Sequence, residues 1–121
     1  MERINFYEKK CQALEIFYCW VDQGSEYDIA VEQSLYYNSR LPEIDKIILN
    51  ITIGTRYARC GKVISEQFCS SLKSVIPKAK ALDFKQCGFS EEEIKIFKEE
   101  IQEAESLISS FSKNDLYPTN L

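Results

Sequence analysis

Apolar side chains near the amino end of the chain recur in alternating steps of three and four residues. This spacing places them on one stripe of an amphipathic helix, which neighbouring apolar residues widen. Gly24 follows where a helix commonly ends, and Ser25 with Asp28 matches a capping box that would start a second helix. The stripe consists of Ile4, Tyr7, Cys11, Leu14, Tyr18 and Val21, and it is widened by Phe6, Ala13, Phe17 and Trp20.

The second predicted helix carries Tyr27, Val31 and Leu35 on its inner face. It is expected to end between Asn38 and Leu41, because the residue before a proline is disfavoured in helical conformation and Pro42 follows. Pro42 can open the next helix.

The isoleucine-rich segment after Pro42 has two possible interpretations. Residues 44–53 have strand-like propensity and partly alternate, which leaves an α+β fold with a strand there as the alternative. Their apolar positions also form a helical stripe of more than three turns, and we predict a helix. Gly54 within it is expected to let a neighbouring helix approach closely.

Two further helices are predicted in the carboxyl-terminal half. Ser65 is a candidate N-cap of the first, and Pro77 is expected to end it. The second opens at the strongest capping box of the chain, Ser90 with Glu93. Its apolar stripe runs through Ile94, Phe97, Ile101, Ala104, Ile108 and Phe111.

Length and composition favour a single domain. The 121 residues are 45% hydrophobic and 28% charged, with only 4 glycines and 3 prolines, which is too apolar for disorder and too poor in turn residues for a many-stranded sandwich. We therefore predict one all-α domain over residues 1–115, compact, with about five helices in an orthogonal or bundle-like packing. A flexible tail is predicted over residues 116–121.

The composition also excludes most familiar catalytic designs. The chain has no histidine, which removes Cys-His and Ser-His-Asp sites and the usual general base near neutral pH. Its five cysteines include no C-x-x-C pair and are expected to be small buried thiols of a reducing compartment. We predict no enzyme, no cofactor and no metal.

The compartment is predicted from the start of the chain and from its longest apolar run. The start is charged, and the run "IFYCWV" is far shorter than the roughly 20 residues of a membrane helix. We expect a cytoplasmic protein without membrane contact. A net charge of −4 also argues against direct nucleic-acid binding.

The segment "SEEEIKIFKEEIQEAE" concentrates negative charge. Residues 91–105 contain seven glutamates and two lysines, a net charge of −5, against −4 for the whole chain. On a helical projection, several glutamates and two apolar residues gather beside the core stripe. We name this set the acidic ridge: Glu92, Ile96, Glu99, Glu100, Glu103 and Leu107.

Two interpretations of the acidic ridge are open. In one, Ile96 and Leu107 widen the core contact and the glutamates solvate the helix. In the other, unpaired glutamates speed the encounter with a basic protein, and the two apolar residues anchor it.

Tyr36 and Tyr37 form a second candidate contact surface. Adjacent residues of a helix point about 100° apart, so both rings can hardly be core. Tyrosine is enriched at interface hot spots. The alternative is a half-buried tyrosine beside an exposed one.

In kind, the chain resembles the small cytosolic immunity proteins that bacteria encode beside contact-dependent growth inhibition toxins and colicin-type nucleases. The shared features are one acidic domain, no catalytic equipment, abundant tyrosine and isoleucine, and a concentrated glutamate surface in "EEEIKIFKEEIQEAE". The resemblance implies a stoichiometric inhibitor that binds and neutralises one cognate toxin domain, often a nuclease, with carboxylates in place of phosphate charge. The alternative function is a helical adaptor or regulatory subunit of another bacterial complex.

Overall fold

A computed structural model describes residues 6–37, 41–60 and 65–115, without the side chains of residues 37 and 111–115. Within these ranges every regular element is helical, which confirms the predicted all-α domain. The alternative strand over residues 44–53 is wrong, and the predicted tail over residues 116–121 lies outside the described residues. The elements are α1 (Phe6–Asp22), α2 (Tyr27–Glu32), a π segment (Gln33–Tyr37), α3 (Glu43–Arg59), α4 (Glu66–Lys80) and α5 (Glu91–Asp115).

The central element is α3. All eight residues from Ile48 to Thr55 are buried, and α1, the π segment, α4 and α5 pack around this helix. A helix that is covered on all sides is expected to be apolar on all sides. The ambiguity of residues 44–53 follows from this position, because the apolar run of a fully buried helix resembles that of a buried strand.

Gly54 of α3 packs directly against side chains of α4 and α2. A Cβ atom at this position would come within 2.8 Å of Leu72 Cδ1 and 3.1 Å of the Tyr27 hydroxyl oxygen. The expected close approach of a neighbouring helix at Gly54 is thus confirmed.

The predicted stripe of α1 is confirmed in part: Leu14, Tyr18 and Val21 pack against the core, but the fully buried residues are ones predicted to widen the stripe. Phe6, Ala13 and Phe17 are buried, whereas Tyr7 is 74% exposed and Cys11 is exposed. Aromatic packing explains the choice, since the Phe6 ring meets two other phenylalanine rings at centroid distances of 5.2 and 5.6 Å. A phenylalanine ring also leaves no hydroxyl group to satisfy.

The end of α1 agrees with the prediction. Gly24 has a φ of 92°, its N–H donates to the Val21 carbonyl, and the Ser25 N–H donates to the Trp20 carbonyl. This pair of bonds is the Schellman motif that glycine favours after a helix.

The predicted capping box of α2 is wrong. The helix begins at Tyr27, and the N-cap residue Glu26 makes no side-chain capping bond. The Asp28 carboxylate instead accepts a hydrogen bond from the adjacent Ile29 N–H. The inner face is as predicted, since Tyr27, Val31 and Leu35 are all buried.

The structure bears out the predicted start of α4 but not its predicted end. The Ser65 hydroxyl caps the helix by accepting from the Phe68 N–H at 3.0 Å. Pro77 lies inside the helix. It faces solvent, where water can satisfy the carbonyl of Lys73 that proline leaves without a donor. The buried Ala79 keeps the last turn packed on the core.

The predicted start of α5 is confirmed. The Ser90 N–H donates to the Glu93 carboxylate at 2.8 Å, and the Glu93 N–H donates to the Ser90 hydroxyl at 3.2 Å. These two bonds form the complete capping box. Phe97, Ile101 and Ala104 are buried as the stripe predicted.

Candidate functional site

The structure divides the acidic ridge among three environments. Two glutamates and one apolar residue face solvent, two residues lie at the edge of the core, and one glutamate lies inside it. Glu92, Ile96 and Glu99 are exposed, Glu103 and Leu107 are partly buried, and Glu100 is buried.

Glu100 lies between α3 and α5 with 7% of its surface exposed. The Thr52 hydroxyl donates to its carboxylate at 2.7 Å. Burial raises the pKa of Glu100, although this hydrogen bond and the positive charges of nearby basic side chains oppose the shift. The expectation that Glu100 belongs to an exposed ridge is wrong, because positions 97, 100, 101 and 104 share the core side of the helix.

Two other glutamates of α5 are paired within the protein. Glu103 accepts two hydrogen bonds from the Arg59 guanidinium group on α3, one of them from Nε at 2.9 Å. Glu105 forms an ion pair of 2.8 Å with Lys80 of α4. These carboxylates help to join α5 to its neighbours and contribute less negative charge to the surface.

The exposed remainder of the ridge is a single face with one apolar residue. Glu92, Ile96 and Glu99 follow at steps of four and three, so they lie together along the helix; we call them the α5 face. Ile96 is 46% exposed. Among the described residues, neither glutamate has a hydrogen-bond or ion-pair partner, but the exposed Lys95 and Lys98 lie on the same helix and reduce its negative field.

Tyr36 is exposed on a different part of the molecule. It belongs to the π segment, retains 44% exposure and lies under the Lys46 ammonium group, 5.1 Å from the ring centroid. The side chain of Tyr37 is outside the described residues. The π segment packs mainly on α1, α2 and α3, whereas α5 packs mainly on α3 and α4. The predicted contact residues therefore form two surfaces.

The sequence prediction did not include Ile29 and Glu32. Ile29 is 38% exposed, Glu32 is exposed, and with Tyr36 they follow at steps of three and four. We call Ile29, Glu32 and Tyr36 the α2 face. The charge pattern of the sequence could have indicated this surface, because the chain between Lys10 and Arg40 has five carboxylates and no basic residue.

The cysteine thiols differ in exposure, and Cys60 lies 3.5 Å from the Tyr18 hydroxyl oxygen. All five cysteines are free, and Cys11, Cys19 and Cys60 are exposed, so the expectation of buried thiols is wrong for these three. Burial and the adjacent Cys60 thiol raise the pKa of the Tyr18 phenol, which disfavours its use as a base near neutral pH. Within the described ranges, no group of three or more cysteine and carboxylate side chains could hold a metal ion.

Comparisons with models of known protein families, with curated proteins and with solved structures found no match for this chain. None of the helices in the described ranges is long and apolar enough to cross a bilayer. The α5 face and the α2 face each combine carboxylate with exposed apolar surface.

Proposed function

We propose that this protein is an immunity-type inhibitor that binds one cognate toxin domain, a nuclease with a basic active site, and neutralises it stoichiometrically. The observation that supports the proposal is the pairing of exposed large apolar side chains with carboxylates that have no described partner. Ile96 lies between Glu92 and Glu99, and Ile29 and Tyr36 flank Glu32.

Such a surface has the two components of a protein interface that forms quickly and persists. Burial of an exposed isoleucine or tyrosine in a partner pocket stabilises the complex, by about 1.5–3 kcal/mol for a fully buried side chain. Carboxylates raise the rate of encounter with a basic protein and fix its orientation. A nuclease active site attracts phosphate with positive charge, and a carboxylate surface can occupy the same field.

A partner would have to cover one face together with the exposed residues around it. A standard interface buries about 800 Å² of each partner, which is roughly a tenth of the 7573 Å² accessible surface of this protein.

The test is protection of growing cells. The toxin domain encoded beside the gene of this protein is expressed in bacteria with and without the protein, and related toxin domains serve as the specificity control. We expect growth to be restored only with the cognate domain, and titration calorimetry to give one-to-one binding. If the protein neither rescues growth nor binds the toxin domain, the proposal is contradicted. Co-purification with a larger assembly, without rescue, would instead indicate the adaptor function.

A further inference from the structure

We infer that the α2 face, rather than the α5 face, is the docking surface, and that its occupant is a basic protein surface that accepts an isoleucine and a tyrosine side chain. This inference rests on the proposed function, which makes the toxin domain the occupant. It is carried by the exposed apolar area, the orientation of Tyr36 and the distribution of charge.

The α2 face has more exposed apolar surface than the α5 face. Four large hydrophobic side chains are exposed among the described residues, and two of them, Ile29 and Tyr36, belong to the α2 face, against Ile96 alone on the α5 face. A larger exposed apolar surface marks a contact site more often than a single exposed side chain does.

The opposite side of the same segment is firmly packed. Tyr27, Val31 and Leu35 are no more than 4% exposed, and the Tyr27 ring packs edge-on against Phe17 and Phe68. The backbone that carries Ile29 and Tyr36 is thus held by the core, and a partner would meet a surface that is already ordered.

Tyr36 is also oriented before any partner arrives. The Lys46 ammonium group lies 5.1 Å from the ring centroid, a cation–π contact that favours one position of the ring. A side chain that is already oriented loses less conformational entropy on binding. Tyr36 lies in the π segment, a type of helical irregularity that is frequent at functional sites.

Charge distinguishes the two faces. The five carboxylates between Lys10 and Arg40 are all at least partly exposed, with no lysine or arginine among them in the sequence: Glu15, Asp22, Glu26, Asp28 and Glu32. In α5, by contrast, Lys95 and Lys98 are exposed, Glu100 is buried against Thr52, and Glu103 and Glu105 are paired with basic side chains of α3 and α4. Even with the Lys46 ammonium group over the Tyr36 ring added to the charge of −5 of residues 11–39, the sum is −4, and this negative charge complements a basic partner.

The experiment compares matched variants of the full-length chain against the toxin domain encoded beside its gene. Tyr36→Ala and Ile29→Ala are compared with Ile96→Ala, and Glu32→Lys with Glu99→Lys. We expect Tyr36→Ala to weaken the Kd at least tenfold and Glu32→Lys to slow association several-fold at low salt, with smaller effects from both α5 variants. Tyr36→Phe keeps the ring and its contact with Lys46, and should bind close to the parental affinity.

Circular dichroism of each variant separates lost binding from lost folding. Effects of the α5 variants that equal or exceed those of the α2 variants would overturn the choice of face while leaving the inhibitor function intact. Absence of binding and rescue by the parental protein would overturn the proposed function, and with it this inference.

Discussion

Glu100 places a carboxyl group in the interface between α3 and α5, where it is almost fully shielded from water. Desolvation raises its pKa, although Thr52 donates to it and Lys10, Arg56 and Arg59 attract its charge. A carboxyl with a raised pKa in the folded state binds more protons there than in the unfolded chain. As the pH rises from the ordinary glutamate pKa of about 4.3 through the raised pKa, ionisation of Glu100 therefore lowers the free energy of unfolding.

Glu100→Gln should stabilise the protein above that pH range. The amide oxygen can still accept a hydrogen bond from Thr52, while the buried charge is removed. Urea unfolding at several pH values should show that Glu100→Gln has a higher free energy of unfolding than the parent at pH 8. This difference should shrink as the pH is lowered towards the ordinary glutamate pKa. The control Glu99→Gln, on the exposed α5 face, should change stability by less than about 0.5 kcal/mol; a loss of stability in Glu100→Gln at pH 8 would contradict the assignment.

Gly24→Ala tests the end of α1. The backbone has a φ of 92°, and no atom lies within 4 Å of an added Cβ, so the cost is conformational and should be about 1 kcal/mol. Gly24→Asn should cost less, because asparagine tolerates this region better than alanine. Thermal unfolding of both variants gives the order of their stabilities. Equal stability of Gly24→Ala and the parent would show that the turn changes conformation.

At the level of helices, the ends of α4 and α5 depend on short local motifs. Ser65→Ala and Ser90→Ala should each destabilise the protein by about 1 kcal/mol in urea unfolding, because each removes an N-cap acceptor. The control is Ser106→Ala, an exposed position within α5, where alanine should have no cost and a small gain in propensity. If all three variants behave alike, the caps do not contribute to stability.

The Arg59 and Glu103 pair links α3 to α5 at a partly exposed site. Their side chains are 54% and 32% exposed, and a double-mutant cycle of Arg59→Ala and Glu103→Ala should give a coupling of about 0.2–1 kcal/mol that falls with added salt. The more exposed pair of Lys80 and Glu105 should couple no more strongly. A coupling of zero at low salt would leave Glu103 free to contact a partner.

The helix ends could be predicted from sequence where the residues that fix them are close together in the chain. Ser90 with Glu93 and Gly24 act through atoms within a few residues, so pattern alone located the ends of their helices. Pro77 has an equally local signal, but the helix continued because its far side is packed and the proline faces water. In α1, the predicted stripe was wider than the buried face, and rings from the α4–α5 connection and from α5 decided which part of it was buried.

Across the whole molecule, negative charge is concentrated in two segments rather than one. Residues 11–39 and 91–105 each have a net charge of −5, and the remaining residues sum to +6. The net charge of −4 does not reveal the first segment, because basic residues elsewhere in the chain offset its negative charge. The two segments also differ in how far their charges are paired. Three carboxylates of the second segment, those of Glu100, Glu103 and Glu105, interact with side chains of α3 and α4.

If the α2 face binds a basic toxin domain, association should be strongly salt-dependent. The Debye length shortens from about 30 Å at 0.01 M to about 10 Å at 0.1 M ionic strength, so stopped-flow association should slow markedly over this range while dissociation changes little. Glu32→Lys should flatten the dependence more than Glu99→Lys. An association rate independent of salt would show that the carboxylates do not steer the encounter.

The sequence by itself determined the helical class, the inner faces of α2 and α5, the caps at Ser65 and Ser90, and the presence of an acidic segment near the carboxyl end. Each of these depends on residues less than two turns apart or on composition. Only the tertiary structure decided which part of the α1 stripe is buried, that α4 continues through Pro77, and that Glu100 is internal while Ile29 is exposed. Those outcomes depend on contacts between distant parts of the chain, since the exposure of a side chain depends on what packs against its helix.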